Sequence, residues 1–102
     1  MSRTHESLVA GLSELVAIPS VSADDAHAPD VRRAAEWVCD RIRAAGGDAG
    51  VVDWHGKPLA IGEVRASAGA ESAPAVLCYA HFDVQPPDPL DLWETAPFEL
   101  TE

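Results

Sequence analysis

The sequence is poor in basic residues: 7 Lys and Arg stand against 17 Asp and Glu, which gives a formal net charge of −10. A chain with this charge is repelled by the phosphates of nucleic acids and by anionic lipid headgroups. We therefore expect neither a nucleic acid nor a membrane surface as a partner.

Cysteine and long apolar runs are also scarce. The two cysteines, Cys39 and Cys78, are far apart in the sequence and have no Cys or His neighbour at a zinc-finger spacing, so we expect both to be reduced and buried. The polar amino terminus lacks a signal-peptide pattern, and no apolar run approaches the ~20 residues that span a bilayer. These features predict a soluble cytoplasmic protein, and the length of 102 residues allows one domain at most.

Two segments with helical periodicity come first. The segment from Thr4 to Ile18 places leucines on one face, and Pro19 ends it. The second helix is predicted from Val31 to Ala45, and Gly46-Gly47 terminates it. Its apolar stripe consists of Val31, Ala35, Val38, Ile42 and Ala45.

The period then changes from helical to extended. Two runs, Gly50 to Trp54 and Leu59 to Val64, flank a short turn and predict an antiparallel pair of strands. A third run, Ala75 to Ala80, is apolar without alternation, which is typical of a strand covered on both faces. The pattern as a whole predicts an α/β fold with two helices followed by three strands.

Two polar residues follow the third predicted strand. His81 and Asp83 are separated by Phe82, and residues two apart on an extended chain project to the same side. Ligands of open α/β sheets bind outside the carboxyl ends of the strands. The spacing therefore suits a metal-bound imidazole, with Asp83 holding either that imidazole or a substrate-activating water. A histidine that is only a hydrogen-bonded loop residue is the alternative.

The remaining polar and aromatic residues give weaker signals. Trp93 lies in a proline-rich loop near the predicted site, where it is either a wall for substrate or a cover for the sheet edge. No Gly-x-Ser-x-Gly elbow surrounds the two serines after Pro19. We assign no site role to His5, His27, His55, Ser20 and Ser22.

The stretch from Tyr79 to Trp93 reads Tyr-Ala-His-Phe-Asp-Val-Gln-Pro-Pro-Asp-Pro-Leu-Asp-Leu-Trp, and Pro97-Phe98-Glu99 follows it. It resembles the first metal motif of the zinc-dependent exopeptidase and amidohydrolase family. That family includes bacterial dipeptidases, aminoacylases, acetylornithine deacetylase and succinyl-diaminopimelate desuccinylase. The run from Leu15 to Ser22 and the second predicted helix resemble the opening of the same family, and the Val-Gln-Pro-Pro-Asp-Pro-Leu continuation is similar to its dipeptidase branch.

The resemblance implies that His81 is a zinc ligand and that Asp83 is the carboxylate orienting the metal-bound imidazole. It also implies two Zn²⁺ ions in a complete site, with Co²⁺ or Mn²⁺ as alternatives, a small peptide or N-acyl amino acid as substrate, and a homodimeric parent enzyme.

The resemblance further implies that the other metal ligands and the general base lie beyond residue 102. We therefore expect residues 1–102 to be the incomplete amino-terminal portion of a metallopeptidase catalytic domain, inactive on its own. The alternative is a non-catalytic small α/β module that binds a partner or serves in assembly.

Overall fold

The structure is a computed structural model that describes residues 4–102. It contains two α-helices followed by a pair of antiparallel strands, which confirms the α/β class. The chain divides into two units. The first, which we call the terminal unit, comprises the described residues up to Ala34 together with Asp83–Glu102. The second, which we call the hairpin unit, is Ala35–Phe82.

Helix α1 spans His5–Val16, inside the predicted segment. Thr4 caps its amino terminus, since the hydroxyl oxygen of Thr4 accepts a hydrogen bond from the Ser7 backbone N–H at 3.1 Å. Leu8 and Leu12 are 54% and 50% exposed. These two leucines of the predicted apolar face are therefore only about half covered, whereas Leu15 is less exposed.

Helix α2 spans Ala28–Ala44, three residues earlier at its start than the sequence predicted. It ends in a Schellman motif: the N–H of Gly46 donates to the carbonyl of Arg43 at 2.9 Å, and the N–H of Gly47 donates to that of Ile42 at 3.0 Å. Gly46 has a φ of +90°, a left-handed conformation that favours glycine. The predicted glycine stop is thus confirmed.

The core of the terminal unit lies where the chain after α1 meets the residues after Phe82. Val21 and Val84 form a parallel bridge, and the Val84 N–H donates to the carbonyl of Ser20 at 2.9 Å. Ser20 and Val21 are buried, as are Val31 and Ala34 of α2. Two short 3₁₀ helices, Asp25–His27 and Leu90–Leu92, belong to the same unit.

The hairpin unit contains strands β1, Asp48–Trp54, and β2, Lys57–Glu63. They pair antiparallel, with Trp54 opposite Lys57. The two-residue loop between them, His55-Gly56, has positive φ at both positions, +50° and +80°, as a type I′ turn requires. The predicted antiparallel pair is confirmed.

The carboxyl-terminal half of α2 packs on one face of this hairpin. The Cδ1 of Ile42 lies only 2.8 Å from the position that a Cβ on Gly62 would occupy. Arg43 donates to the carbonyl of Ala49 at 2.9 Å. The opposite face carries Val52, Leu59 and Ile61, which are all exposed.

The predicted third strand is wrong. Among residues 4–102 the sheet has two strands, and residues 75–80 lie in neither a helix nor a strand. Leu77 and Tyr79 are each 92% exposed, so no layer covers this run within the described chain. The reason is that a strand needs a neighbour to accept and donate its backbone hydrogen bonds, and β1 and β2 pair with each other instead.

The prediction that both cysteines are buried holds for one of them. Cys39, on α2, is fully buried, whereas Cys78 is exposed because it belongs to the uncovered run. Both are free thiols, as expected.

Candidate functional site

The candidate site residues lie on either side of the division between the two units. His81 ends the hairpin unit, and Asp83 begins the second segment of the terminal unit. His81 is exposed and lies outside any helix or strand. Its assignment as a metal ligand stays a prediction.

Asp83 is half-buried in the terminal unit. Ser22 donates its hydroxyl hydrogen to Oδ2 of Asp83, with 2.6 Å between the two oxygens. This separation lies in the range of charge-assisted O–H···O⁻ hydrogen bonds. The Asp83 carboxylate is therefore held from a loop 61 positions earlier in the chain.

Local structure explains why Ser22 reaches Asp83. Pro19 follows α1 and denies the chain a helical continuation, so residues 20–22 run alongside residues 83–84. Val21, 2% exposed, anchors this contact in the core of the terminal unit. The serine hydroxyl thus projects from a segment that buried packing fixes on one side.

Sequence reasoning missed Ser22. From the sequence, the role to test for Ser22 is that of a nucleophile, and no nucleophile elbow surrounds it. Its actual partner is a carboxylate distant in sequence, and spacing carries no signal for such a pair. The only hint was that Ser22 closes the run from Leu15 that resembles the opening of the zinc-dependent family.

The described residues do not make a complete metal centre. Within residues 4–102 no group of three or more His, Cys, Asp or Glu side chains is placed to hold a metal ion. Catalytic zinc usually takes three protein ligands and a water. His81 is an exposed imidazole, and Asp83, two positions later, is a hydrogen-bonded carboxylate. They suit one ligand of such a centre and the carboxylate that orients this ligand, and no more.

Each of the other three histidines contacts an aromatic ring or a carboxylate. His55 occupies the hairpin turn, exposed, with its ring edge-on to Trp54 at 4.6 Å between centroids. His27 donates from Nδ1 to Asp30 at 2.8 Å, at the start of α2. His5 lies 3.9 Å from the carboxylate of Glu102. The partners of His55 and His27 are one and three positions away, whereas that of His5 is at the other end of the described chain.

Trp93 is 49% exposed, and its indole N–H donates to the carbonyl of Pro87 at 2.8 Å. This bond closes the proline-rich loop on itself. The two roles considered for Trp93, a wall for substrate or a cover for the sheet edge, both stay predictions.

Comparison with known proteins bears on the family. The chain is similar to the Cys-Gly metallodipeptidase dug1 of Schizosaccharomyces pombe, with 34% identity over 111 residues that cover 99% of this chain. This similarity supports a metallopeptidase family. The chain spans 23% of the length of that relative.

The other comparisons are negative. No family model matches the chain, and no solved structure matches it. In the part of the chain that the structure describes, neither helix has the length and apolar character needed to cross a membrane.

Proposed function

We propose that residues 1–102 form part of the catalytic domain of a zinc-dependent dipeptidase that hydrolyses Cys-Gly or related small peptides. The observation that carries this proposal is the similarity to a Cys-Gly metallodipeptidase along nearly the whole chain. The His81-Phe82-Asp83 motif lies inside the similar region and supplies the donor types that such an enzyme needs.

In this proposal His81 binds one zinc ion and Asp83 orients the imidazole. A carboxylate that accepts the second ring N–H of a ligating histidine fixes its tautomer and raises its basicity. The hydrogen bond that Asp83 accepts from Ser22 suits this role, because it holds the carboxylate in one orientation. Zinc at a dinuclear centre supplies an activated water and polarises the scissile carbonyl.

The remaining ligands come from outside the described residues. This part of the proposal rests on the family resemblance, which implies further ligands beyond residue 102; a catalytic zinc usually takes three protein ligands, and no group of three or more ligand-type side chains is placed for a metal ion within residues 4–102. The full-length protein is therefore the object to test.

The test is Cys-Gly hydrolysis by the full-length protein, stripped of metal and reloaded with zinc, compared between His81→Ala and His55→Ala. Both histidines are exposed and each variant removes one imidazole, but His55 lies in a hairpin turn. We expect zinc to restore activity, His81→Ala to lower kcat/KM by more than about 100-fold, and His55→Ala to leave it unchanged. Equal activity of the two variants, or hydrolysis that zinc does not affect, refutes the proposal and favours a non-catalytic binding or assembly module.

A further inference from the structure

The hydrogen bond from Ser22 to Asp83 joins the carboxylate of the candidate site to a segment next to the core of the terminal unit, across 61 positions of sequence. Ser22 is the donor, and 2.6 Å separates its hydroxyl oxygen from Oδ2 of Asp83, which is a short hydrogen bond between a hydroxyl and a carboxylate. A bond of this kind restricts both the side-chain torsions of Asp83 and the direction in which its carboxylate faces.

The donor is itself held in place. Ser20 and Val21, the two residues before it, are 1% and 2% exposed. The carbonyl of Ser20 accepts from the N–H of Val84, the residue after Asp83. Backbone and side-chain hydrogen bonds therefore join the same two segments, residues 20–22 and 83–84.

We propose that Ser22 is a positioning residue, which holds the Asp83 carboxylate in the orientation that the metal-bound imidazole requires. This inference rests on the proposed function, in which Asp83 orients His81. Ser22 touches neither substrate nor metal in this role, and its effect passes through Asp83 alone.

The experiment compares Ser22→Ala, Ser22→Thr, Asp83→Ala and the double variant Ser22→Ala/Asp83→Ala in the full-length protein. Zinc affinity is measured by competition with a chromogenic chelator, and kcat and KM are measured separately with Cys-Gly. We expect Ser22→Ala to weaken zinc binding and to lower kcat by about 10-fold each, with KM changed less than about twofold. Ser22→Thr keeps the hydroxyl and should restore most of both quantities.

The double variant separates positioning from a general effect on folding. If Ser22 acts through Asp83, removing its hydroxyl after Asp83 has been truncated changes neither zinc affinity nor kcat further. Ser67→Ala, an exposed loop serine of the hairpin unit, is the matched control and should behave as the parent protein.

Two outcomes overturn the inference while leaving the proposed function intact: Ser22→Ala behaves as the parent although His81→Ala is inactive, or the Ser22→Ala losses persist in full on the Asp83→Ala background. If His81→Ala itself keeps full zinc-dependent activity, the proposed function fails and the inference fails with it.

Discussion

Gly47 lies against the backbone of Glu63, since a Cβ at Gly47 would stand 2.6 Å from the carbonyl oxygen of that residue. The same Cβ would lie 2.9 Å from side-chain carbons of both Ile42 and Val64. The end of α2 and the end of β2 can approach this closely only because residue 47 has no side chain.

Replacing Gly47 with alanine therefore tests the packing of the hairpin unit. We expect Gly47→Ala to lower the free energy of unfolding by about 1–3 kcal/mol, because a backbone carbonyl cannot move aside as a flexible side chain can. Gly50→Ala is the matched control: nothing lies within 4 Å of a Cβ built on Gly50, so we expect a change within about 0.5 kcal/mol. Urea denaturation of the chain measures both. Similar losses from the two substitutions would show that α2 does not pack on the hairpin in this way.

The core of the terminal unit is tested at Val21, which is 2% exposed and bridges to Val84. Val21→Thr keeps the shape of the side chain but buries a hydroxyl, and should cost about 1–3 kcal/mol of stability. Val52→Thr makes the same change on the open face of β1, where the residue is 48% exposed, and should cost less than about 0.5 kcal/mol. Thermal unfolding followed by circular dichroism distinguishes them, and a Val21→Thr variant as stable as Val52→Thr would contradict the burial of Val21.

Asp30, in the first turn of α2, is expected to make a pH-dependent contribution to the stability of the chain. The hydrogen bond from His27 lowers the pKa of Asp30 below its ordinary value of 3.8, and the charge of Arg33 lowers it further, while burial opposes them. A carboxylate whose pKa is lowered by folding stabilises the folded state above its unfolded pKa, and this contribution disappears as the pH falls through the folded pKa. Asp30→Asn should therefore destabilise the chain near neutral pH, and the difference from the parent should shrink as the pH falls through the lowered pKa of Asp30.

The measurement for Asp30 is the urea midpoint of the parent and variant chains from acid to neutral pH. Asp91→Asn, which removes an exposed carboxylate in the 3₁₀ helix Leu90–Leu92, is the control and should follow the parent curve throughout. An Asp30→Asn curve parallel to the parent curve at every pH would refute the linkage.

The two thiols are expected to differ in reactivity. Cys78 is exposed and Cys39 is fully buried, so a disulfide reagent should label one thiol of the native chain rapidly and the second only in denaturant. Cys78→Ser should abolish the rapid phase, and Cys39→Ser should leave it. Slow labelling of Cys78 in the native chain would mean that a layer covers residues 75–80, as the sequence pattern had suggested.

The contrast between these regions shows which features the sequence predicts well. The stop of α2 at Gly46-Gly47 and the presence of a turn from His55 follow from backbone preferences of the residues themselves, so both were predicted. The predicted turn ran from His55 to Pro58, whereas in the structure it is limited to His55-Gly56 and β2 begins at Lys57. Residues 75–80 were not predicted correctly, because an apolar run becomes a strand only when another strand pairs with it, and this depends on distant parts of a chain.

The same limit applies to the candidate site. The motif His81-Phe82-Asp83 is contiguous, so its donor types and spacing are visible in the sequence. The hydrogen bond between Ser22 and Asp83 joins residues 61 positions apart and depends on the tertiary contact of Val21 with Val84. No periodicity or motif reports such a pair, and only the folded terminal unit reveals it.

Zinc binding by the 102-residue chain itself is the last prediction. One histidine supplies one ligand, and residues 4–102 hold no group of three or more ligand-type side chains placed for a metal ion. We therefore expect weak, non-stoichiometric binding in isothermal titration calorimetry, reduced in His81→Ala and unchanged in His55→Ala. Tight one-to-one binding that His81→Ala abolishes would contradict this expectation. It would mean that the chain assembles a more complete metal centre in solution, with ligands that must then come from the same 102 residues or from a second copy of the chain.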